Sequence, residues 1–248
     1  MTVLITGGAG YIGSLTARLI RASGRGIVIL DTLENGHRKA VGDAPFVQGD
    51  VADSSLVERT CSEHGVDEVV HFAAYKAVGE SMSNPEKYFS NNVMGSQKLF
   101  AALNNAGVER VVFSSTAAVY GTPATVPVRE SDPLHCESVY AETKLMIENT
   151  LHWYAQTTPM RHACLRYFNA AGASEDRGAP GRSAAEMIVA GRRVLARRGV
   201  HDAGHCVSMG IDVANHAAVK LELCRGSSGA ACGADRSRQP GDGPTRRL

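Results

Sequence analysis

Residues 6–13 read Thr-Gly-Gly-Ala-Gly-Tyr-Ile-Gly, and they stand between an apolar run at 2–5 and a helix-like stretch at 11–20. This order predicts a strand, a tight turn and a helix. Because glycine has no Cβ, the chain can turn sharply there, approach a pyrophosphate closely and pack the helix on the strand. The N–H groups at the start of the helix would face the negative charge of such a ligand. The stretch predicts the first turn of a dinucleotide-binding fold, with an ordinary flexible turn as the alternative.

Asp31 favours the dinucleotide interpretation. It follows a second apolar run, 26–30, and lies roughly 20 residues beyond the glycines, where an acidic side chain hydrogen-bonds a ribose diol. Its negative charge would repel a 2′-phosphate. The predicted cofactor is therefore NAD and not NADP.

Strands and helices alternate along the first 170 residues. After the first strand, helix and second strand, further strands are predicted at 45–48, 68–72, 109–113 and 163–168. Further helices are predicted at 54–64, 84–105 and 136–156. This alternation predicts an α/β fold, a doubly wound Rossmann-type parallel sheet with helices on both faces.

Composition excludes several classes of protein. The chain has 248 residues, ample for a core, and a formal net charge of +1, which predicts no strong attraction to nucleic acid or membranes. It begins in its first predicted strand without a targeting signal, and no apolar run approaches the roughly 20 residues of a membrane span. Its six cysteines lack C-x-x-C spacing, which favours reduced thiols over disulfides or zinc ligands. We expect a cytoplasmic protein with no metal site.

Three polar residues in apolar segments need an explanation. His71 is a lone histidine in an apolar strand, which favours a buried imidazole satisfied by backbone over a catalytic group. Asn91 and Asn92 are consecutive in a predicted helix, although asparagine competes for backbone hydrogen bonds and lowers helicity. Either they contact a ligand or they anchor a neighbouring loop, and the sequence leaves both interpretations open.

Tyr140 and Lys144 are four residues apart, so they share one face of a predicted helix. An ammonium beside a phenol favours phenolate and should lower the tyrosine pKa from about 10 toward neutrality, as a phenolic base requires. The hydroxyl cluster Ser114-Ser115-Thr116 ends the preceding strand. The carboxyl ends of strands border the ligand crevice of doubly wound sheets. Tyrosine, lysine and hydroxyls together predict an active site beside the cofactor.

The character of the chain changes near residue 175. Residues 175–224 are predicted to form an incomplete, divergent substrate lobe with helices at 184–198 and 212–223, after an NAD-binding domain at 1–174. Residues 225–248 are rich in arginine and glycine and should be a disordered, solvated tail; they lack the interleaved aromatics of a nucleic-acid binder. His201, His205 and Cys206 have metal-like spacing but no fourth ligand nearby, so no metal is predicted.

Several segments up to residue 173 together carry a resemblance. They are TGGAGYIG, LDTLENG, GDVAD, HFAAYKAVGES, NNVMGS, FSSTAAVYG, SVYAETKLMIE and LRYFNAAGA. The chain resembles the extended short-chain dehydrogenase/reductases, and HFAAYKAVGES with LRYFNAAGA resembles their UDP-glucose (UDP-galactose) 4-epimerase branch. The resemblance implies NAD-dependent epimerisation at carbon 4 of a UDP-hexose through a transient 4-keto intermediate.

The resemblance also implies roles for individual residues. The implied catalytic set is Thr116, Tyr140 and Lys144. The implied cofactor-binding residues are Gly7, Gly10, Tyr11, Ile12, Gly13, Asp31, Thr32, Asn35, Gly36, Asp50, Val51, Phe72, Ala73, Ala74, Lys76, Asn91, Ser114, Tyr140, Lys144 and Tyr167. The implied substrate-binding residues are Lys76, Thr116, Tyr140, Phe168 and Asn169. The predicted helices at 84–105 and 136–156 would form a four-helix interface in a homodimer.

Two alternative functions stay open at this point. A sugar-nucleotide 4,6-dehydratase shares the fold and cofactor, but the resemblance to that branch would require Asp-Glu after the catalytic threonine, where Ala117-Ala118 stand. The other alternative is a nonenzymatic NAD-binding remnant, because the segments typical of the substrate lobe are not found after Gly172. That departure leads us to expect NAD binding with weak or no epimerisation.

Overall fold

The structure is a computed structural model that describes residues 1–170 and the backbone of 205–209. Within these residues, seven parallel strands form one sheet. The strands are β1 (Thr2–Thr6), β2 (Gly26–Asp31), β3 (Phe46–Gln48), β4 (Val66–His71), β5 (Arg110–Ser114), β6 (Arg161–Tyr167) and β7 (His205–Met209). Their order in the sheet is β3-β2-β1-β4-β5-β6-β7. The order reverses beside β1, so the two halves wind in opposite directions. The predicted doubly wound parallel sheet is confirmed.

Helices cover both faces of the sheet. They are α1 (Tyr11–Ala22), α2 (Arg38–Val41), α3 (Ser54–His64), α4 (Val78–Ser83), α5 (Pro85–Tyr88), α6 (Gly95–Asn105) and α7 (Val139–Thr157). A π-helical turn, Phe89–Met94, joins α5 to α6, and a 3₁₀ turn, Ala117–Tyr120, follows β5. No helix in the described part of the chain is long and apolar enough to cross a membrane.

The core lies on both sides of β1. Ile5 packs on one face with Ile20 of α1, whereas Leu4 packs on the other face with Leu99 and Phe100 of α6. Side chains of successive strand residues point to opposite faces, so a strand covered on both sides must be apolar throughout. This is why residues 2–5 form a continuous apolar run.

The predicted helix over 84–105 is not one regular helix. Pro85 begins the helical run, because the backbone of Asn84 has non-helical dihedral angles and proline suits the first helical position. The run then widens into the π turn at Phe89–Met94, which contains both asparagines, before α6 begins. The preceding segment forms α4, which the sequence did not predict.

Other predicted boundaries are close to the observed ones. The six predicted strands are present with ends displaced by one or two residues, and the helix predicted at 136–156 is Val139–Thr157. The sequence did not predict β7, which pairs with β6 so that His205 lies beside Ala163. His205 and Cys206 therefore lie in this strand. The predicted helices at 184–198 and 212–223, His201 and the tail at 225–248 lie outside the described residues.

Candidate active site

A cleft of about 1100 Å³ runs along the carboxyl edge of the sheet. All the residues that the sequence assigned to cofactor, substrate or catalysis line it. They meet there because parallel strands end at the same edge, and the crevice opens where the strand order reverses. The lining also contains residues to which the sequence assigned no role in binding or catalysis: Ala9, Ser14, Leu30, Glu34, His37, Ala40, Gly49, Tyr75, Val78, Ala117, Ala118, Gly121 and Ala170.

The glycine turn forms one end of the cleft. Gly7 has φ of +70°, and a Cβ at this residue would lie 2.7 Å from the Ala73 amide nitrogen. A Cβ at Gly13 would lie 2.4 Å from the Gly7 carbonyl oxygen. The turn is thus packed backbone against backbone. Gly10 precedes α1 and no side chain caps this helix start, so its positive end faces the cleft.

The Asp31 carboxylate determines the shape of two neighbouring loops. Its Oδ2 accepts a hydrogen bond from the Ala9 amide at 2.9 Å, and its Oδ1 accepts one from the Leu33 amide at 2.8 Å. Leu33 has φ of +64°, a conformation that non-glycine residues rarely adopt without such support. Each carboxylate oxygen has a second lone pair. Asp31 can therefore shape the turn and accept a ribose hydroxyl as well.

The two asparagines of the π turn have different roles. Asn92 is fully buried; its Oδ1 accepts from the Tyr75 amide at 2.8 Å, and its Nδ2 donates to the Tyr75 carbonyl at 3.0 Å. The same Nδ2 donates to Thr143 Oγ1 at 3.2 Å. Asn91 instead lines the cleft. Asn92 thus anchors the loop after β4, whereas Asn91 lies at the surface of the cleft and donates to Asn92 Oδ1 at 2.9 Å.

Glu34 and Tyr75 join the two loops that border the cleft. The Tyr75 hydroxyl lies 2.8 Å from both carboxylate oxygens of Glu34 and donates to this carboxylate. Glu34 follows β2, and Tyr75 follows β4. Burial and the Glu34 carboxylate raise the pKa of Tyr75 to about 12, so the hydroxyl keeps its proton at neutral pH. Nothing in the local sequence pattern predicts this contact, because the partners are 41 residues apart.

Thr116, Tyr140 and Lys144 meet at the other end of the cleft. Ser138 caps α7 by accepting from the Ala141 amide at 3.2 Å. The capped helix places Tyr140 and Lys144 one turn apart toward β5. Lys144 Nζ donates to the Ser114 carbonyl at 3.0 Å and lies 5.9 Å from the centroid of the Tyr140 ring. The side chains of Thr116 and Tyr140 are hydrogen-bonded to each other.

Comparison with known protein families matches residues 3–199 to the NAD dependent epimerase/dehydratase family. The chain belongs to this family. The match extends to residue 199, beyond the last of the quoted motifs, which ends at residue 173.

Individual members of the family show how much of a complete protein the chain matches. It is 45% identical over 173 residues to a UDP-glucose 4-epimerase of Halalkalibacterium halodurans, covering 70% of this chain and 52% of that protein. It is 46% identical over 177 residues to one of Lacticaseibacillus casei, covering 71% and 54%. The chain therefore spans about half the length of the curated relatives that it matches.

Solved structures of the family have the same fold. The UDP-glucose 4-epimerase from Brucella ovis in complex with NAD superposes with a TM-score of 0.69 at 42% identity, covering 71% of this chain and 54% of that one. The enzyme from Bifidobacterium longum in complex with NAD+ and UDP superposes with a TM-score of 0.68 at 35% identity, covering 71% and 56%.

The pKa of Tyr140 is shifted in the direction opposite to the sequence expectation. Burial raises it above the usual value near 10, and the hydrogen bond with Thr116 only partly opposes this shift. The Lys144 ammonium donates to the Ser114 carbonyl and not to the phenol, so desolvation dominates. Burial lowers the pKa of Lys144 itself to about 8. The expectation that the lysine brings the tyrosine pKa toward neutrality is wrong for this arrangement.

His71 is a buried structural imidazole, as the sequence favoured, but side-chain hydroxyls are its partners. Its Nδ1 lies 2.7 Å from Thr6 Oγ1, and its Nε2 lies 2.9 Å from Ser96 Oγ. Its ring stacks on Phe113 at 5.7 Å between centroids. Burial, with a smaller contribution from the Lys144 charge, lowers its pKa to about 3. The ring is therefore neutral at physiological pH and joins the end of β1 to α6.

The neutral state of His71 predicts a loss of stability in acid. Its pKa is about 3 in the folded protein and near 6.5 when unfolded, so below pH 6.5 the unfolded chain binds a proton that the folded chain does not. The stabilisation is complete above pH 6.5 and decreases as the pH falls toward 3. Between pH 6.5 and pH 5 we expect a loss of about 2 kcal/mol in the free energy of unfolding from this residue.

Urea denaturation at several pH values measures this loss. His71→Gln should reduce the pH dependence between 6.5 and 5, and His152→Gln, at an exposed position on α7, is the matched control. An identical pH dependence in the wild type and in His71→Gln would contradict the assignment.

Proposed function

We propose that the protein is an isomerase that epimerises a UDP-hexose, UDP-galactose or UDP-glucose, at carbon 4 through a transient 4-keto sugar, with NAD as its cofactor. The observation that carries the proposal is the arrangement of the cleft. Thr116, Tyr140 and Lys144 stand at one end, and the glycine turn with Asp31 stands at the other. The relatives named UDP-glucose 4-epimerase support the choice of substrate.

The residues of the cleft fit NAD. The uncapped start of α1 and the glycines without Cβ atoms suit a pyrophosphate, and Asp31 suits the adenosine ribose. Bound NAD would supply a reversible hydride acceptor for carbon 4 of the sugar. In this proposal residues 1–174 are the NAD-binding domain, 175–224 belong to the substrate lobe except for β7, which extends the sheet of the NAD-binding domain, and 225–248 are a tail.

The catalytic residues would act on the sugar 4-hydroxyl. Tyr140 would take the hydroxyl proton while carbon 4 is oxidised and return it when carbon 4 is reduced; because burial raises its pKa, its phenolate is the minor form but a strong base. Thr116 hydrogen-bonds Tyr140 and so helps to stabilise its phenolate. The buried Lys144 ammonium supplies positive charge 5.9 Å from the phenol ring. Inversion requires the keto sugar to present its other face before reduction.

Ala117 and Ala118 favour epimerisation over dehydration. Both line the cleft directly after Thr116. Dehydration needs an additional acid and base beside the sugar, and an alanine side chain cannot transfer a proton. Within this family the cleft is therefore suited to a reaction that needs one proton-transfer group, Tyr140.

The ribose role of Asp31 predicts a change in cofactor preference. Asp31→Asn removes the charge that repels a 2′-phosphate, so the ratio of NAD affinity to NADP affinity should fall by at least about tenfold. The ratio is the informative measurement, because Asp31 also shapes the turn and any distortion would weaken both cofactors. Fluorescence titrations of both dinucleotides give the two affinities. Equal losses for NAD and NADP would contradict the proposed contact.

The role of Tyr140 predicts a loss of turnover without a loss of cofactor. Tyr140→Phe removes the proton-transfer group but keeps the ring, so turnover of UDP-galactose should fall by about 10²-fold or more while NAD affinity is retained. Tyr154→Phe, on α7 outside the cleft lining, is the matched control. Undiminished turnover in Tyr140→Phe would refute the assignment of the base. A companion titration with UDP reports binding of the nucleotide separately.

We further propose a homodimer in the cytoplasm. The support for a dimer is a pair of exposed apolar side chains on α7: Met146 and Trp153 are seven residues apart, share one face of the helix, and are 38% and 66% exposed. Trp153→Glu should shift sedimentation from dimer to monomer, and Val126→Glu, at an 81% exposed loop residue, is the control. A monomeric wild type would contradict the dimer.

The free thiols of Cys61 and Cys136 suit a reducing compartment.

A further inference from the structure

Glu148 lies one helical turn beyond Lys144 on α7 and faces the same strand end. Its carboxylate accepts a hydrogen bond from Ser115 Oγ. Lys144 Nζ donates to the carbonyl of the preceding residue, Ser114, at 3.0 Å. With the contact between Tyr140 and Thr116, three consecutive residues at the end of β5 and just after it, 114–116, each interact with one of three residues spaced four apart on α7. Three contacts therefore hold this face of α7 against the end of the strand.

Arg166 of β6 forms an ion pair with the Glu148 carboxylate. Arg166 Nε lies 3.0 Å from Oε1 and 3.1 Å from Oε2, and a second guanidinium nitrogen also donates to Oε2. Arg166 Nη1 donates to Tyr120 Oη at 2.9 Å. Glu148 and Arg166 are 4% and 5% exposed, so both charges are buried. A buried ion pair can often be replaced by apolar residues without loss of stability, so fold stability alone does not explain this one.

We propose that Glu148 is a positioning residue of the active site, which holds Ser115 and maintains Lys144 as an ammonium through its negative charge. The proposal rests on the proposed function, because it assigns a purpose to the Lys144 charge. Glu148 would thus be a third functional residue on the face of α7 that carries Tyr140 and Lys144, one turn beyond Lys144.

The surroundings of Lys144 explain why an anion is needed. The side chain is 3% exposed, and burial alone favours the uncharged amine. The groups that interact with it are the Ser114 carbonyl and the Phe113 ring of β5, Tyr140 on α7, His71 of β4 and Glu148 on α7, and Glu148 is itself ion-paired with Arg166. Glu148 is the anion among them. Burial lowers the pKa of Lys144 to about 8, and Glu148 opposes that shift.

The test measures the titration of Lys144 in the full chain by NMR of ¹³C-labelled lysine, with its signal assigned from Lys144→Arg. Glu148→Gln keeps the shape of the side chain and an acceptor for Ser115 but removes the charge. The Lys144 midpoint should fall by about one pH unit. Glu142→Gln, which removes an exposed carboxylate from the same helix, should leave the midpoint unchanged.

A double variant separates charge from folding. Glu148→Gln leaves the Arg166 charge buried without its partner and can unfold the protein. Glu148→Met with Arg166→Met removes both charges together and should retain the fold, with the Lys144 midpoint lowered by less than in Glu148→Gln, because the repulsion from Arg166 is removed as well. Glu148→Asp should restore the midpoint toward that of the wild type. An unchanged midpoint in the folded double variant would overturn the proposal.

A kinetic measurement provides a second readout. If the protein epimerises UDP-galactose, the alkaline limb of its kcat profile should move to lower pH in the double variant by the same shift. A loss of kcat that is uniform across pH would mark a purely structural role and would also overturn the proposal. The NMR titration needs neither NAD nor turnover. If the protein does not epimerise UDP-galactose, the titration of Lys144 therefore still tests the proposed effect of Glu148.

Discussion

The close backbone packing of the first βα turn is the constraint on which the rest of the cleft depends. A Cβ at Gly7 would lie 2.7 Å from the backbone of Ala73, and one at Gly13 would lie 2.4 Å from the backbone of Gly7. The turn, the start of α1 and the loop after β4 therefore fit together only if both residues are glycine. Asp31, at the end of β2, accepts a hydrogen bond from the Ala9 amide within the turn and so holds the loop after β2 against that turn. Three strand ends are placed relative to one another by these few contacts.

Desolvation governs the chemistry at the opposite end. Burial raises the pKa of Tyr140 and lowers the pKa values of Lys144 and His71, so each group is pushed toward its uncharged form. A side chain that is to stay charged in such a desolvated site needs fixed hydrogen-bonding or charged partners. Glu148 opposes the effect at Lys144, and the Thr116 hydrogen bond opposes it at Tyr140. Removing water also strengthens each remaining electrostatic interaction, which is how a small set of groups can have a large effect.

The π turn connects these two ends. Asn92 binds both backbone groups of Tyr75 in the loop after β4 and also binds Thr143, the neighbour of Lys144 on α7. A regular helix presents side chains at a fixed angle, and a wider turn displaces them, which is why π turns occur at functional sites. Here Asn92 holds the loop at the glycine end against the helix that carries Tyr140 and Lys144. The cleft is thereby one connected unit.

Local patterns in the sequence determined the fold class and the chemical identity of the site. Glycine spacing, apolar strands of four to six residues, and tyrosine four residues before lysine depend on neighbours along the chain, so they could be read without coordinates. The parallel order of strands then required their carboxyl ends to meet, which is why the predicted residues share one cleft.

Only the tertiary structure decided what lies between distant segments. Glu34 with Tyr75, and Ser115 with Glu148, are 41 and 33 residues apart, and no local periodicity relates such partners. The direction of the Tyr140 pKa shift also could not be predicted from the sequence. The sequence places a lysine one turn away, but packing determines how deeply the tyrosine is buried and that Lys144 donates to the Ser114 carbonyl. Hydrogen bonds and desolvation act through space, and the chain order does not encode those distances directly.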